Sequence, residues 1–130
     1  MTTIQYLRIY ADANGCSHLE EKLLELETND YAPPAPSLYT SLPISAEKCV
    51  FLELPVGWYG VWHPTPVRQW MVFMSGEVGV EAGDGEQRIL KAGDVLMLED
   101  THGKGHLSKV NGDTPVRIAA FHIPELEESS

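Results

Sequence analysis

The groups in this chain best placed to do chemistry are two histidines held in glycine-framed stretches. His63 lies between Gly57 and Gly76 in a run that continues through Pro64, Thr65, Pro66 and Gln69. His106 closes a second run that opens at Gly93 and Asp94 and passes Glu99, Asp100, His102, Lys104 and Gly105. Imidazole titrates near neutral pH and shuttles a proton when a carboxylate or phenol orients it. Tyr59, Glu53, Glu99 and Asp100 are the candidate partners, and Tyr59 joins His63 and His106 as the catalytic set. For Glu99 and Asp100 the plainer role is to cap turns. Alternate residues of a strand share a face, so His63, Thr65, Gln69 and Met71 are expected to point inward while Trp62, Arg68 and Trp70 point out. His122 joins the inner set if Ile118, Ala120 and His122 form the inner face of a last strand.

The elements that must position these groups read as strands. From Cys49 to His122 the segments alternate or run apolar over strand lengths, broken by Gly, Asp and Pro. Val78, Val80 and Ala82 alternate with Glu77, Gly79 and Glu81, and Gly83-Asp84-Gly85 is the turn back to Arg88 through Leu90. The stretch Gln69 to Met74 is apolar on both faces, so its outer face needs a cover, and a second copy of the chain is the simplest one. Ile4 to Tyr10 reads as a strand, Asp12 to Gly15 as a turn, and His18 to Leu26 as a short helix or an edge strand. Tyr31 to Tyr39 is too proline-rich for either element and is expected to run extended across the mouth of the fold.

On these two stretches the chain resembles the cupin superfamily. Gly57, His63 and Gly76 fall on the family's places for glycine, histidine and glycine; Gly93, Asp94 and His106 match the second motif, with two extra residues before His106. Thr65 stands where a second histidine belongs, and Gln69 stands for a glutamate. The resemblance covers about residues 48–123 and implies an all-β cupin jelly-roll barrel (a double-stranded β-helix). It divides the chain into 1–47 as strands and a proline-rich segment packing on the barrel, 48–123 as the barrel, and 124–130 as an acidic tail, one domain overall. It also implies a divalent metal, Fe, Mn, Ni or Zn, at His63, Gln69 and His106, with Thr65 on a further ligand place; His102 and His122, which match no place of the family pattern, are additional candidates. Loss of one imidazole and of the carboxylate weakens that set. The activity implied is that of an enzyme of dioxygenase, isomerase or lyase type acting on a small polar or aromatic metabolite; the alternative is a metal-free cupin that only binds a small ligand. Cupins commonly pair, so a homodimer is expected, with Trp70 at its interface.

Composition narrows the partners. Nine basic against nineteen acidic residues give a net charge of −10, which repels nucleic acid and anionic membranes. With 43% hydrophobic and 22% charged residues the chain is ordinary globular material, and no apolar run approaches the roughly 20 residues that span a bilayer. The first residues lack a secretory pattern and Cys16 and Cys49 are too few for a disulfide framework, so a cytoplasmic address with reduced thiols is expected. Neither thiol has a histidine in a nucleophile arrangement, and Cys49 reads as buried. Gly103-Lys104-Gly105 lacks the earlier glycine and the hydroxyl residue of a phosphate loop; its glycines instead let that loop approach its neighbours closely. Trp58, Trp62 and Trp70 with Tyr59 offer an aromatic pocket, although core and interface account for some of them.

Overall fold

A computed structural model describes residues 2–124 as ten strands in two sheets, with no helix among them. The acidic tail expected at 124–130 therefore lies, from residue 125 on, outside the described residues. Among the described residues no helix is long and apolar enough to cross a membrane.

The larger sheet has seven strands: β1 (Thr2–Ala11), β2 (Ser17–Asn29), β3 (Leu38–Thr40), β4 (Lys48–Leu54), β5 (Gln69–Phe73), β8 (Val95–Glu99) and β10 (Val116–His122). Their spatial order is β3-β2-β1-β8-β5-β10-β4, while β6 (Glu77–Glu81), β7 (Gln87–Lys91) and β9 (Leu107–Asn111) form a second sheet in the order β7-β6-β9. The β1–β8 pair is parallel and the other pairs are antiparallel, the arrangement that lets one face stay wet while the other packs.

Alternation decides which side chains meet. Leu7 and Ile9 of β1, Phe73 of β5, Leu96 and Leu98 of β8 and Ile118 of β10 bury against Val78, Val80, Leu90 and Val110 of the smaller sheet. Each such burial removes about 1.5–3 kcal/mol worth of side chain from water. Val78, Val80 and Ala82 face inward as their spacing predicts, and the turn after them is closed by Gly85 N–H donating to the Ala82 carbonyl.

Three readings are settled or corrected here. His18 to Leu26 is a strand: β2 pairs with β1 from Thr2–Leu26 to Ala11–Ser17, and ten consecutive pairs leave no room for a helix. The proline-rich segment does not cross the mouth. β2 outruns β1, so its free edge at Glu27–Asn29 takes up Leu38–Thr40 as β3 at the far end of the sheet, and no residue of 31–43 lines the internal cavity. Cys49 is exposed, because on β4 it is Val50, Leu52 and Leu54 that face the cavity and Cys49 that faces away.

Candidate active site

Between the two sheets lies a cavity of about 410 Å³ whose walls include Leu52, Trp58, Met71, Phe73, Leu96 and Ile118, with His63, Thr65, Gln69, His106, Ser108 and His122 as its polar members. The chain brings its two motif histidines together through the backbone. Residues 58–63 run as an irregular strand beside β9: Val110 N–H donates to the Trp58 carbonyl at 2.9 Å and Gly60 N–H to the Ser108 carbonyl at 2.8 Å. At the end of this ladder His63 and His106 are direct partners that exchange both backbone hydrogen bonds, at 3.1 and 3.0 Å. Opposed residues of such a pair project to the same face, and the two imidazole centroids are 5.0 Å apart.

Each ring is also oriented by an acceptor. Asp100, fully buried, lies 2.6 Å from His106 Nδ1, and the Val61 carbonyl lies 2.9 Å from His63 Nδ1. A carbonyl can only accept, so the His63 proton sits on Nδ1; with Nδ1 of His106 engaged by Asp100 as well, Nε2 is the nitrogen left on each ring for a ligand. Val61 reaches this position at φ 51°, a left-handed conformation rare for a β-branched residue. Pro64 and Pro66 lack the N–H that would continue the ladder, and Thr65 N–H turns instead to the Asp100 carbonyl at 3.1 Å.

The loop carrying Asp100 and His106 folds back tightly. A side chain at Gly105 would stand 2.0 Å from the His63 carbonyl oxygen, and one at Gly103 would stand 2.1 Å from the Gly15 carbonyl oxygen. These two glycines make the close approach expected of them. Lys104 between them lies over the Trp62 ring, 4.3 Å from its centroid, a cation–π contact on the outer surface.

Of the candidate residues, then, His63, Thr65, Gln69, His106 and His122 line the cavity. Tyr59 does not: it pairs with Lys109, and alternation turns Trp58 inward and Tyr59 out into a groove beside Glu81 and Arg88. His102 is exposed, with Nε2 at 3.2 Å from the Asp12 carbonyl. Glu99 accepts from Arg8 and Arg68 on the outer face, and Glu53 accepts from Arg117 on the surface. Asp100 is the carboxylate that serves a cavity imidazole, where the sequence favoured a turn-capping role. The signal was its distance from His106 across two glycines, enough chain to return on itself.

The polar atoms on offer do not make a strong metal site. Thr65 Oγ donates to the Val67 carbonyl and accepts from Gln69 Nε2 at 3.0 Å, so its proton is committed and Gln69 has its carbonyl oxygen left. The cavity offers the imidazoles of His63, His106 and His122 with the Gln69 amide oxygen and no carboxylate on its lining, and the three rings do not bring their nitrogens within 4.8 Å of one another, a weaker set than the three-histidine or histidine–carboxylate sites that hold divalent ions. No trio of His, Cys, Asp or Glu donors within 4.8 Å forms around His63 and His106 among the described residues; Asp12, Cys16 and His18 do form one, at the β1–β2 turn.

The cupin domain of Cnp3 from Schizosaccharomyces pombe matches this architecture with a TM-score of 0.50 at 14% identity, over 95% of this chain and 90% of that one. This chain has the cupin fold. A chain described as ethanolamine utilization protein Q from Salmonella typhimurium is similar at 22% identity, over 95% of this chain and 98% of that one, with a TM-score of 0.44. No family model matches the chain, and no curated protein matches it.

Proposed function

We propose that this small cupin is an enzyme that takes a compact, mainly apolar or aromatic metabolite with one polar group into its cavity and moves a proton on it, without a resident metal. The observation that carries this reading is the buried Asp100–His106 pair opening onto an apolar cavity, with the His63 ring beside it. Asp100 holds the ring and steadies positive charge when Nε2 accepts a proton, the role of an orienting carboxylate in acid–base catalysis. The apolar walls exclude water and strengthen each hydrogen bond made inside. His63 Nε2 is the second polar contact, and it returns or stabilises the proton at a neighbouring atom. Removal at one carbon and return at the next is an isomerisation; removal with loss of a leaving group is a lyase reaction.

The test uses a panel of small aromatic and branched carboxylic acids and carbonyl compounds, screened by thermal shift. Those that bind are then incubated in deuterated water, with carbon-bound exchange followed by NMR. The wild-type protein is expected to exchange a substrate proton. His106→Asn, whose amide still donates to Asp100, should bind the compound without exchanging it, and chelation should leave wild-type exchange in place. Exchange abolished by chelation and restored by iron, manganese or nickel would overturn the metal-free reading. Exchange retained in His106→Asn would overturn the role of His106.

A cytoplasmic, homodimeric protein completes this proposal. The support for pairing is the outer face of the larger sheet, where Ile4, Leu24, Ile44, Trp70, Val72 and Phe121 line an apolar groove. Trp70 meets Tyr6 of its own chain edge-to-face at 4.8 Å, but its buried indole N–H has no acceptor. Sedimentation of the purified chain checks the mass.

A further inference from the structure

We propose a second site, independent of the cavity: a divalent-ion site of zinc type at the β1–β2 turn, formed by Asp12, Cys16 and His18. The three donor atoms already lie within 4.8 Å of one another, so small shifts, with the 2.7 Å Asp12–His18 pair opening to admit the ion, bring them to the separations of a tetrahedral ion with three protein ligands and one water. Nitrogen, thiolate sulfur and carboxylate oxygen together suit a borderline metal better than magnesium or calcium, which take oxygen ligands.

The surroundings orient each donor. His18 Nδ1 lies 2.8 Å from Asp84 Oδ2, leaving Nε2 turned toward Asp12 at 2.7 Å. A carboxylate on the far nitrogen is the usual outer support of a metal-binding imidazole, fixing both its tautomer and its plane. Asp12 is aimed too, because its Oδ1 accepts the N–H groups of Asn14 at 2.9 Å and Cys16 at 3.0 Å, which leaves Oδ2 for the ion. Binding displaces the thiol proton of Cys16, and any proton on His18 Nε2, to solvent; no electron moves.

An ion here would brace three turns at once. Asp12 and Cys16 belong to the β1–β2 turn, His18 to the first residues of β2, and Asp84 to the β6–β7 turn. Next to His18, Ser17 Oγ donates to the Gly105 carbonyl at 2.7 Å and accepts from Gly83 N–H at 2.7 Å. Gly105 adjoins His106, so the ion would stabilise the loop on which the cavity imidazole sits while staying outside the cavity.

The experiment titrates zinc into tag-free protein by calorimetry and repeats the titration with cobalt, whose bond to a thiolate gives a near-ultraviolet charge-transfer band. One ion per chain, a cobalt–thiolate band and a raised melting temperature are expected. Cys16→Ser should remove the band, and His18→Gln should abolish zinc uptake. Asp84→Asn should weaken uptake roughly tenfold through the outer support. The double variant His63→Ala with His106→Asn should bind as wild type does, which separates this site from the cavity. No one-to-one uptake, uptake indifferent to both Cys16→Ser and His18→Gln, or uptake lost in the cavity double variant would each overturn the proposal. Circular dichroism of each variant confirms that it is folded before titration.

Discussion

The molecule makes the same contact twice in opposite surroundings. His106 meets Asp100 at 2.6 Å with side chains 6% and 0% exposed, and His18 meets Asp12 at 2.7 Å with side chains 30% and 35% exposed. The distances are alike; what differs is the water, and a second carboxylate, Asp84, on the other nitrogen of His18. At the turn, solvent replaces whatever a missing partner gave, and the pair is worth little by itself. Inside the fold, Asp100 has no such recourse: its Oδ1 is already buried without a partner, and Oδ2 depends on His106. An exposed pair is free to exchange its proton for an ion. A buried one holds a charge arrangement ready for a ligand that arrives without water.

The sharpest way to break this comparison is to delete each imidazole. His106→Ala strands a buried carboxylate and is expected to cost about 3–5 kcal/mol in urea unfolding, whereas His106→Asn, which keeps a donor for Asp100, should recover much of that stability. His18→Ala should leave the midpoint of metal-free protein near that of wild type. Equal losses at the two sites would mean that burial does not distinguish them.

A second comparison concerns what holds the buried pair in place. Gly105 and Gly85 both adopt left-handed backbone, φ +79° and +92°, but a side chain at Gly85 meets nothing within 4 Å, while one at Gly105 runs into the His63 carbonyl and Pro64. Gly85→Ala should cost only the conformational strain, about 1–2 kcal/mol. Gly105→Ala adds overpacking against backbone, about 1–3 kcal/mol more, and parts the His63–His106 rungs. Matching losses in the two variants would show that the loop has room to relax.

Period-two alternation placed Val78, Val80, Gln69, Met71, Ile118 and His122 on the correct faces, because one buried face pins the register of a strand. The cupin frame of Gly57, His63, Gly76 and His106 was legible for the same reason: turn glycines and strand lengths are local. Asp100 was not legible as the partner of His106, since a carboxylate in a loop looks the same whether it caps a turn or folds back under a ring. Tyr59 looked catalytic through proximity to His63 in sequence, yet four residues along an irregular strand with a kink at Val61 put it on the other face. The Asp12, Cys16 and His18 cluster passed as a turn leading into a short helix or an edge strand, because Asp84, which orients His18, is brought there only by the second sheet.

Glu99 lies between the two extremes and gives the smallest effect. It neighbours Asp100 in sequence but faces outward, accepting from Arg8 Nε at 2.6 Å and Arg68 Nη2 at 2.7 Å, with its side chain 15% exposed. Burial pushes its pKa up, but the hydrogen bonds and charges of Arg8 and Arg68 outweigh that and hold it below the usual 4.5. A carboxyl depressed by folding contributes stability that is fully present above its unfolded value and is lost as pH falls through its folded value. Wild-type stability should therefore decline below about pH 4.5 more steeply than that of Glu99→Gln, with a difference at neutral pH of at most about 1 kcal/mol, since the pair is partly wetted. Urea midpoints followed down in pH for both proteins check this. Parallel curves would mean that Arg8 and Arg68 are anchored by something other than the Glu99 charge.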